Sequence, residues 1–220
     1  MYRFALIGAA ALALAGCPLQ KEYTVTVENL TDAQPMSPVA LLTHSDADLL
    51  FTVGTPVSQA VELLAEGGDN SAVLKYGKQR NVEEALSGKA LLPPGASDEF
   101  SLYVTNPHTR YLSMTSMLVN TNDALVAETD INISALRPGQ SITLLVPAWD
   151  AGTEGNSESQ ATVPGPAAQG EGYNPERDDV NRIRIHPGVL SADDGLTGSA
   201  LHYRHRFDNP AAKITIKRKW

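Results

Sequence analysis

The sequence has one cysteine in 220 residues, Cys17. A lone thiol excludes an internal disulfide framework. Basic residues are also scarce, with 17 Lys and Arg against 25 Asp and Glu and a net charge of −8. That balance argues against nucleic acid as a partner and against electrostatic docking on anionic lipid, and it suits a divalent cation. No run after the N-terminus approaches the roughly 20 apolar residues of a membrane-spanning helix. No internal repeat is present. The Gly-x-Ser-x-Gly elbow of a serine hydrolase is missing as well.

What is present begins at the N-terminus. Arg3 precedes an uncharged apolar run, Phe4 to Leu14, and the run ends in Leu14-Ala15-Gly16-Cys17. This is too short to span a bilayer and fits the h-region of a secretory signal peptide. Small residues before the cut admit a peptidase, and the cysteine after it offers a thiol for diacylglycerol transfer. The order resembles a bacterial lipobox. Residues 1–16 are therefore expected to be a leader, Cys17 the lipidated residue, 17–22 a tether, and 23–220 one domain. Lipidation would use up the only thiol. A multiply acylated cysteine gives a stable membrane anchor. The expected location is the cell envelope. Pro18 after the cysteine points to the outer membrane if the host is diderm, by resemblance to known sorting signals.

Along the rest of the chain, polar and β-branched residues alternate over 23–30, and a more apolar strand is expected over 39–43. Residues 58–66 read as a helix capped by Ser58, and 71–87 as a stretch holding another short helix that ends near Gly88. Further strands are expected over 99–105, 111–119, 141–147, 181–186 and 212–219. Alternation at 202–206 would put Tyr203 and His205 on one face. Residues 151–179, rich in Gly, Ser, Asn and Pro, read as one long surface loop. Short strands with turn signals and one or two inserted helices imply a mainly β protein, an antiparallel β-sandwich of two sheets.

Two segments collect hard oxygen ligands at strand ends, Asn120-Thr-Asn-Asp123 and Asp150-Ala-Gly-Thr-Glu154. If the loops meet, Asp123, Asp150 and Glu154 supply carboxylates of the kind calcium takes. An EF-hand is excluded. With Asp150 at position one, position six is Gly155, but position twelve is Ala161 and carries no carboxylate. His186, His202 and His205 invite zinc, but Arg204 and Arg206 interleave with the last two and disfavour a cation there. Asp150 and Glu154 also have a spacing that a glycosidase acid pair needs; bound calcium would neutralise that role.

The run Leu102 to Asp123, containing Ser116-Met-Leu-Val-Asn-Thr-Asn-Asp123, resembles the N-terminal spondin domain of the matrix proteins F-spondin and mindin. Asp150-Ala-Gly-Thr-Glu154 is similar to that family's second hallmark, and Asn209 to Arg218 to its final strand. The resemblance implies a two-sheet sandwich with a calcium site made from Asp123, Asp150 and Glu154. Three features depart from the family pattern. Ala124 and Leu125 follow the first acid where an aromatic is usual, the last acid is Glu rather than Asp, and no disulfide can form.

The expected function is that of a lipid-anchored, calcium-binding module of the cell surface or envelope. It would act by adhesion or by binding a partner such as a glycan or another surface protein, and not as an enzyme. The alternatives are a structural envelope lipoprotein with a purely stabilising calcium, and a carboxylate-based hydrolase.

Overall fold

A computed structural model describes residues 20–76 and 81–220. The expected leader and Cys17 lie outside them. The described residues form two antiparallel sheets packed face to face, as the alternation patterns imply. The four-stranded sheet has the order β4 (Ser97–Val104), β1 (Lys21–Asn29), β10 (Ala212–Arg218), β7 (Ser141–Val146). The six-stranded sheet has the order β3 (Val82–Ser87), β2 (Ala40–His44), β5 (Tyr111–Met117), β6 (Ala124–Asn132), β8 (Ala148–Asp150), β9 (Arg184–Ile185).

Burial explains the two sheets' different sequences. In β1, Tyr23, Val25 and Val27 are fully buried while Thr24 and Thr26 between them are not. This sheet buries one face, so its strands alternate. The six-stranded sheet is covered on both. Its inner face, with Leu41, Leu112, Met114 and Val126, meets Val25, Leu102, Ile214 and Ile216 in the main core. Its outer face, with Leu42, Leu125 and Ala127, packs under α1 (Gln59–Gly67). Hence β2 is buried at every position.

Helix α1 has a clear start and stop. The Ser58 side chain accepts from the Val61 amide, and Gly68 ends the helix at φ +69°. Val61, Leu64 and Ala65 form its buried stripe, as the i, i+3, i+4 spacing requires. A five-residue helix, α2 (Ser71–Lys75), follows.

Three local expectations fail. The first concerns 71–87, where the expected short helix is present but stops at Lys75, well short of Gly88, and residues 82–87 form an edge strand paired to β2. Val-Glu-Glu-Ala-Leu-Ser has helix-forming composition, but tertiary bonds override it. Glu84 accepts the amide of Tyr103, and Glu83 accepts those of Thr105 and Asn106, all at or just past the end of β4 in the other sheet. The second is the stretch 181–186, which is cut to a two-residue strand. The third is Tyr203–His205, a single 3₁₀ turn instead of an alternating strand. There the His202 amide donates to His205 Nδ1 at 2.9 Å and the Tyr203 amide to Asp193 at 2.8 Å, so side chains replace ladder partners.

Candidate metal centre

Strand pairing brings distant residues to one end of the six-stranded sheet. Ala124 of β6 faces Asp150 of β8, which places Asp123 beside Asp150. Asp150 in turn faces Arg184 of β9. The chain leaves β9 with the His186 amide on the Ala148 carbonyl, so His186 joins the same end. Gly152 makes the turn out of β8 at φ +72°, and a Cβ there would lie 2.4 Å from the Arg182 carbonyl oxygen. Only glycine fits that approach.

The polar run before β6 is a buried hub. Asn120 accepts the Ala167 amide, Asn122 accepts the Glu158 amide and donates to Thr162, and Asp123 accepts the amides of Thr153 and Glu154. Three successive stretches of the 151–179 segment are thus tied to one short turn. Pairing side chains to backbone in this way lets an irregular segment be buried, since its amides are satisfied. Ser157 and Ser159 both bond Thr162 within that segment.

Ligand atoms of Asp123, Asp150 and His186 lie within 4.8 Å of one another, and all three residues are buried. The group can hold a metal ion. Asp123 is fully buried, and its Oδ2 accepts from Thr153 N at 2.8 Å, Glu154 N at 3.1 Å and Thr153 Oγ1 at 3.3 Å. Its Oδ1 is buried and has no hydrogen-bond partner among the described residues. Burial, with the Asp150 charge adding, pushes the Asp123 carboxyl up to about 7. Asp150 is held by Gly152 N on Oδ1 at 2.9 Å and by Asn156 Nδ2 and Arg184 on Oδ2 at 2.8 and 2.9 Å. Burial raises its pKa, against the lowering effect of Asn156 and Arg184.

His186 has a constrained protonation. Its Nδ1 accepts from the Gly188 amide at 3.0 Å, and its ring lies 5.1 Å from that of Phe207. Burial, with the nearby Arg184 charge, drives its pKa down to about 4. The ring is neutral at pH 7, and its Nε2 is buried without a hydrogen-bond partner among the described residues. With His186 the group offers a mixed oxygen and nitrogen donor set.

No protein-family model and no curated protein matches the chain.

The structure therefore brings two of the three expected ligands, Asp123 and Asp150, into one group. Glu154 is adjacent through its amide, and its carboxylate, 7 % exposed, leaves Oε2 without a partner among the described residues. Burial pushes Glu154 up to about 8, against a hydrogen bond from Asn122, with Glu66, Asp123 and Asp178 adding to the rise. His186 enters the group in place of the zinc role weighed for it, whereas His202 and His205 stack on each other in the 3₁₀ turn. Sequence reasoning missed Glu66 on α1 and Glu158, both buried with one carboxylate oxygen that has no partner among the described residues. The signal available for Glu66 was an acid next to the buried stripe of a helix. Glu158 sits in a Ser- and Glu-rich stretch whose composition marks it as solvated.

Proposed function

We propose that this chain is a calcium-binding β-sandwich, lipid-anchored at Cys17 in a cell envelope, which works by binding a surface partner and not by catalysis. The carrying observation is the Asp123 carboxylate: one oxygen takes three donors while the other is buried without one among the described residues. An ionised carboxylate in that position is costly unless a cation meets it. Oxygen donors from Asp123 and Asp150, with Glu154 as the third acid, suit calcium, which takes six to eight oxygens in flexible geometry. Zinc favours nitrogen and sulfur, and this group offers a single imidazole and no thiol.

The resemblance to the spondin domain supports the same three acids and a role in adhesion. The lipobox-like Leu-Ala-Gly-Cys17 supports the anchor. Calcium would clamp the turn before β6 to the segment after β8, and that ordered end is the surface offered to a glycan or another envelope protein.

Calcium titration with thermal melting tests the reading, on chelator-treated wild type and Asp150→Ala. At a hundredfold excess over Kd, wild type is expected to gain about 5–10 °C, and the variant nothing. Equal melting of wild type with and without calcium overturns the calcium reading and makes Asp150 and Glu154 the pair to test for acid–base chemistry.

A further inference from the structure

The whole-chain balance argues against anionic lipid, but the charge is not evenly spread. Strand pairing sets Tyr23 opposite Arg218 at the start of β1. Just beyond, the Glu22 amide donates to the Trp220 carbonyl and the Lys219 amide to the Glu22 carbonyl. The turn before β7 joins the same corner: the Gly139 amide donates to the Arg218 carbonyl, and the Arg218 amide to that of Gln140. Three segments, 21–22, 137–140 and 217–220, thus meet at one end of the four-stranded sheet. They carry Lys21, Arg137, Lys217, Arg218 and Lys219 against a single acid, Glu22.

These charges are open. Arg137, Lys217 and Lys219 are exposed, and none of the five cations pairs with a carboxylate among the described residues. Arg218 donates to the carbonyls of Leu136 and Trp220. Elsewhere Lys213, Arg204 and Arg206 each hold an acid. The nearby Glu83 and Glu84 are turned to backbone amides at and past the end of β4. Trp220 stands among the cations with 63 % of its surface exposed. Its apolar ring and polar N–H suit the headgroup level of a bilayer. Each Lys or Arg near an anionic lipid surface strengthens binding about fivefold.

We propose that this corner is a membrane-docking face: Lys21, Arg137, Lys217 and Lys219 lie against anionic lipid headgroups, and the Trp220 ring enters the headgroup layer. The face needs neither the calcium reading nor the acyl chains. The chain path agrees with it, because Lys21 follows Cys17 by four positions, and four extended residues span at most roughly 14 Å. The far end of β1 is the opposite pole. There Asn29 donates to the Gln34 carbonyl and Gln34 to that of Asn120, in the hub beside the metal group. The nine residues of β1 set the two ends about 25–30 Å apart. Docking on the basic corner therefore turns the Asp123 and Asp150 end away from the lipid and toward a partner.

Vesicle sedimentation of the full chain, made without acylation, tests this on phosphatidylcholine alone and on an equal mixture with phosphatidylglycerol. The apolar N-terminus is common to both samples, so the ratio of binding between compositions isolates charge. Wild type is expected to prefer the anionic vesicles by roughly a hundredfold at low salt, and to lose that preference as salt rises. The triple variant Arg137→Ser, Lys217→Ser, Lys219→Ser is expected to lose most of the preference and keep its melting temperature, since all three side chains are exposed. Bromine-labelled anionic lipid should quench tryptophan emission in wild type and not in Trp220→Phe. Equal binding of wild type to both compositions overturns the proposal, as does a triple variant with the wild-type preference. Quenching that persists in Trp220→Phe moves the contact to Trp149 and overturns this face. Lipidation of Cys17 enters none of these readings; fractionation of Cys17→Ser in the host tests it separately.

Discussion

At the scale of single residues, the buried acids make stability depend on pH in an unusual direction. Burial pushes Asp123 and Glu158 up to about 7 and Glu154 up to about 8. A carboxyl whose folded pKa exceeds its unfolded one binds its proton more tightly in the folded state. Its contribution is therefore present at low pH and lost as pH rises through the folded value. The metal-free protein is expected to melt at lower temperature as pH climbs from about 5 to 8.5. With calcium the slope should flatten, because the ion replaces the protons, and calcium affinity should rise across the same window. Melting curves over that range with chelator and with calcium check this; a chelated protein whose melting temperature rises with pH would contradict it. Asp123→Asn should remove much of the slope and most of the response to calcium. Asp123, Asp150 and Glu154 were legible as candidates because oxygen-bearing residues cluster at strand ends. His186 was legible only as a zinc candidate beside His202 and His205, and β8–β9 pairing sets it with Asp123 and Asp150 instead. Glu158 and Glu66 were not legible, since the Asn122 bond and the docking of α1 bury them and one-dimensional spacing carries neither.

At the scale of elements, α1 and the buried hub are the parts whose removal should show most clearly. Leu64 is fully buried between α1 and the outer face of the six-stranded sheet. Leu64→Ala is expected to lower unfolding stability by about 2–5 kcal/mol, measured by denaturant titration. Asn122→Ala should act differently. It frees the Glu158 amide and Thr162, so limited proteolysis should cut near 157–163 faster with little change in global melting. Unchanged cleavage there would show that Asn122 does not hold the segment. The strands that alternate, β1 and β10, were readable because they bury one face. Strand β6 was not, because Ala124-Leu-Val-Ala127 is buried on both faces and lacks the alternation. β3 misled for the opposite reason: its glutamates look helical, yet they serve the amides at the end of β4.

At the scale of the whole molecule, the β-sandwich class was readable and the strand order was not. Short strands with turns between them imply two sheets, but nothing in local pattern says that β1 and β10 lie side by side. They pair from Tyr23↔Arg218 to Asn29↔Ala212, and β10 alone joins β1 to β7. Cutting the chain before residue 211 should therefore abolish cooperative thermal unfolding, read by circular dichroism, because the four-stranded sheet loses an interior strand. A truncated chain that still melts in one sharp transition would show that the six-stranded layer folds unaided. The same pairing bears on timing. The first strand can pair with β4 early, but it meets its second neighbour only once residues 212–218 have been made, and contacts so far apart in sequence close slowly. Until those residues emerge from the ribosome, the four-stranded sheet lacks the strand that joins β1 to β7, and the sandwich has no way to finish.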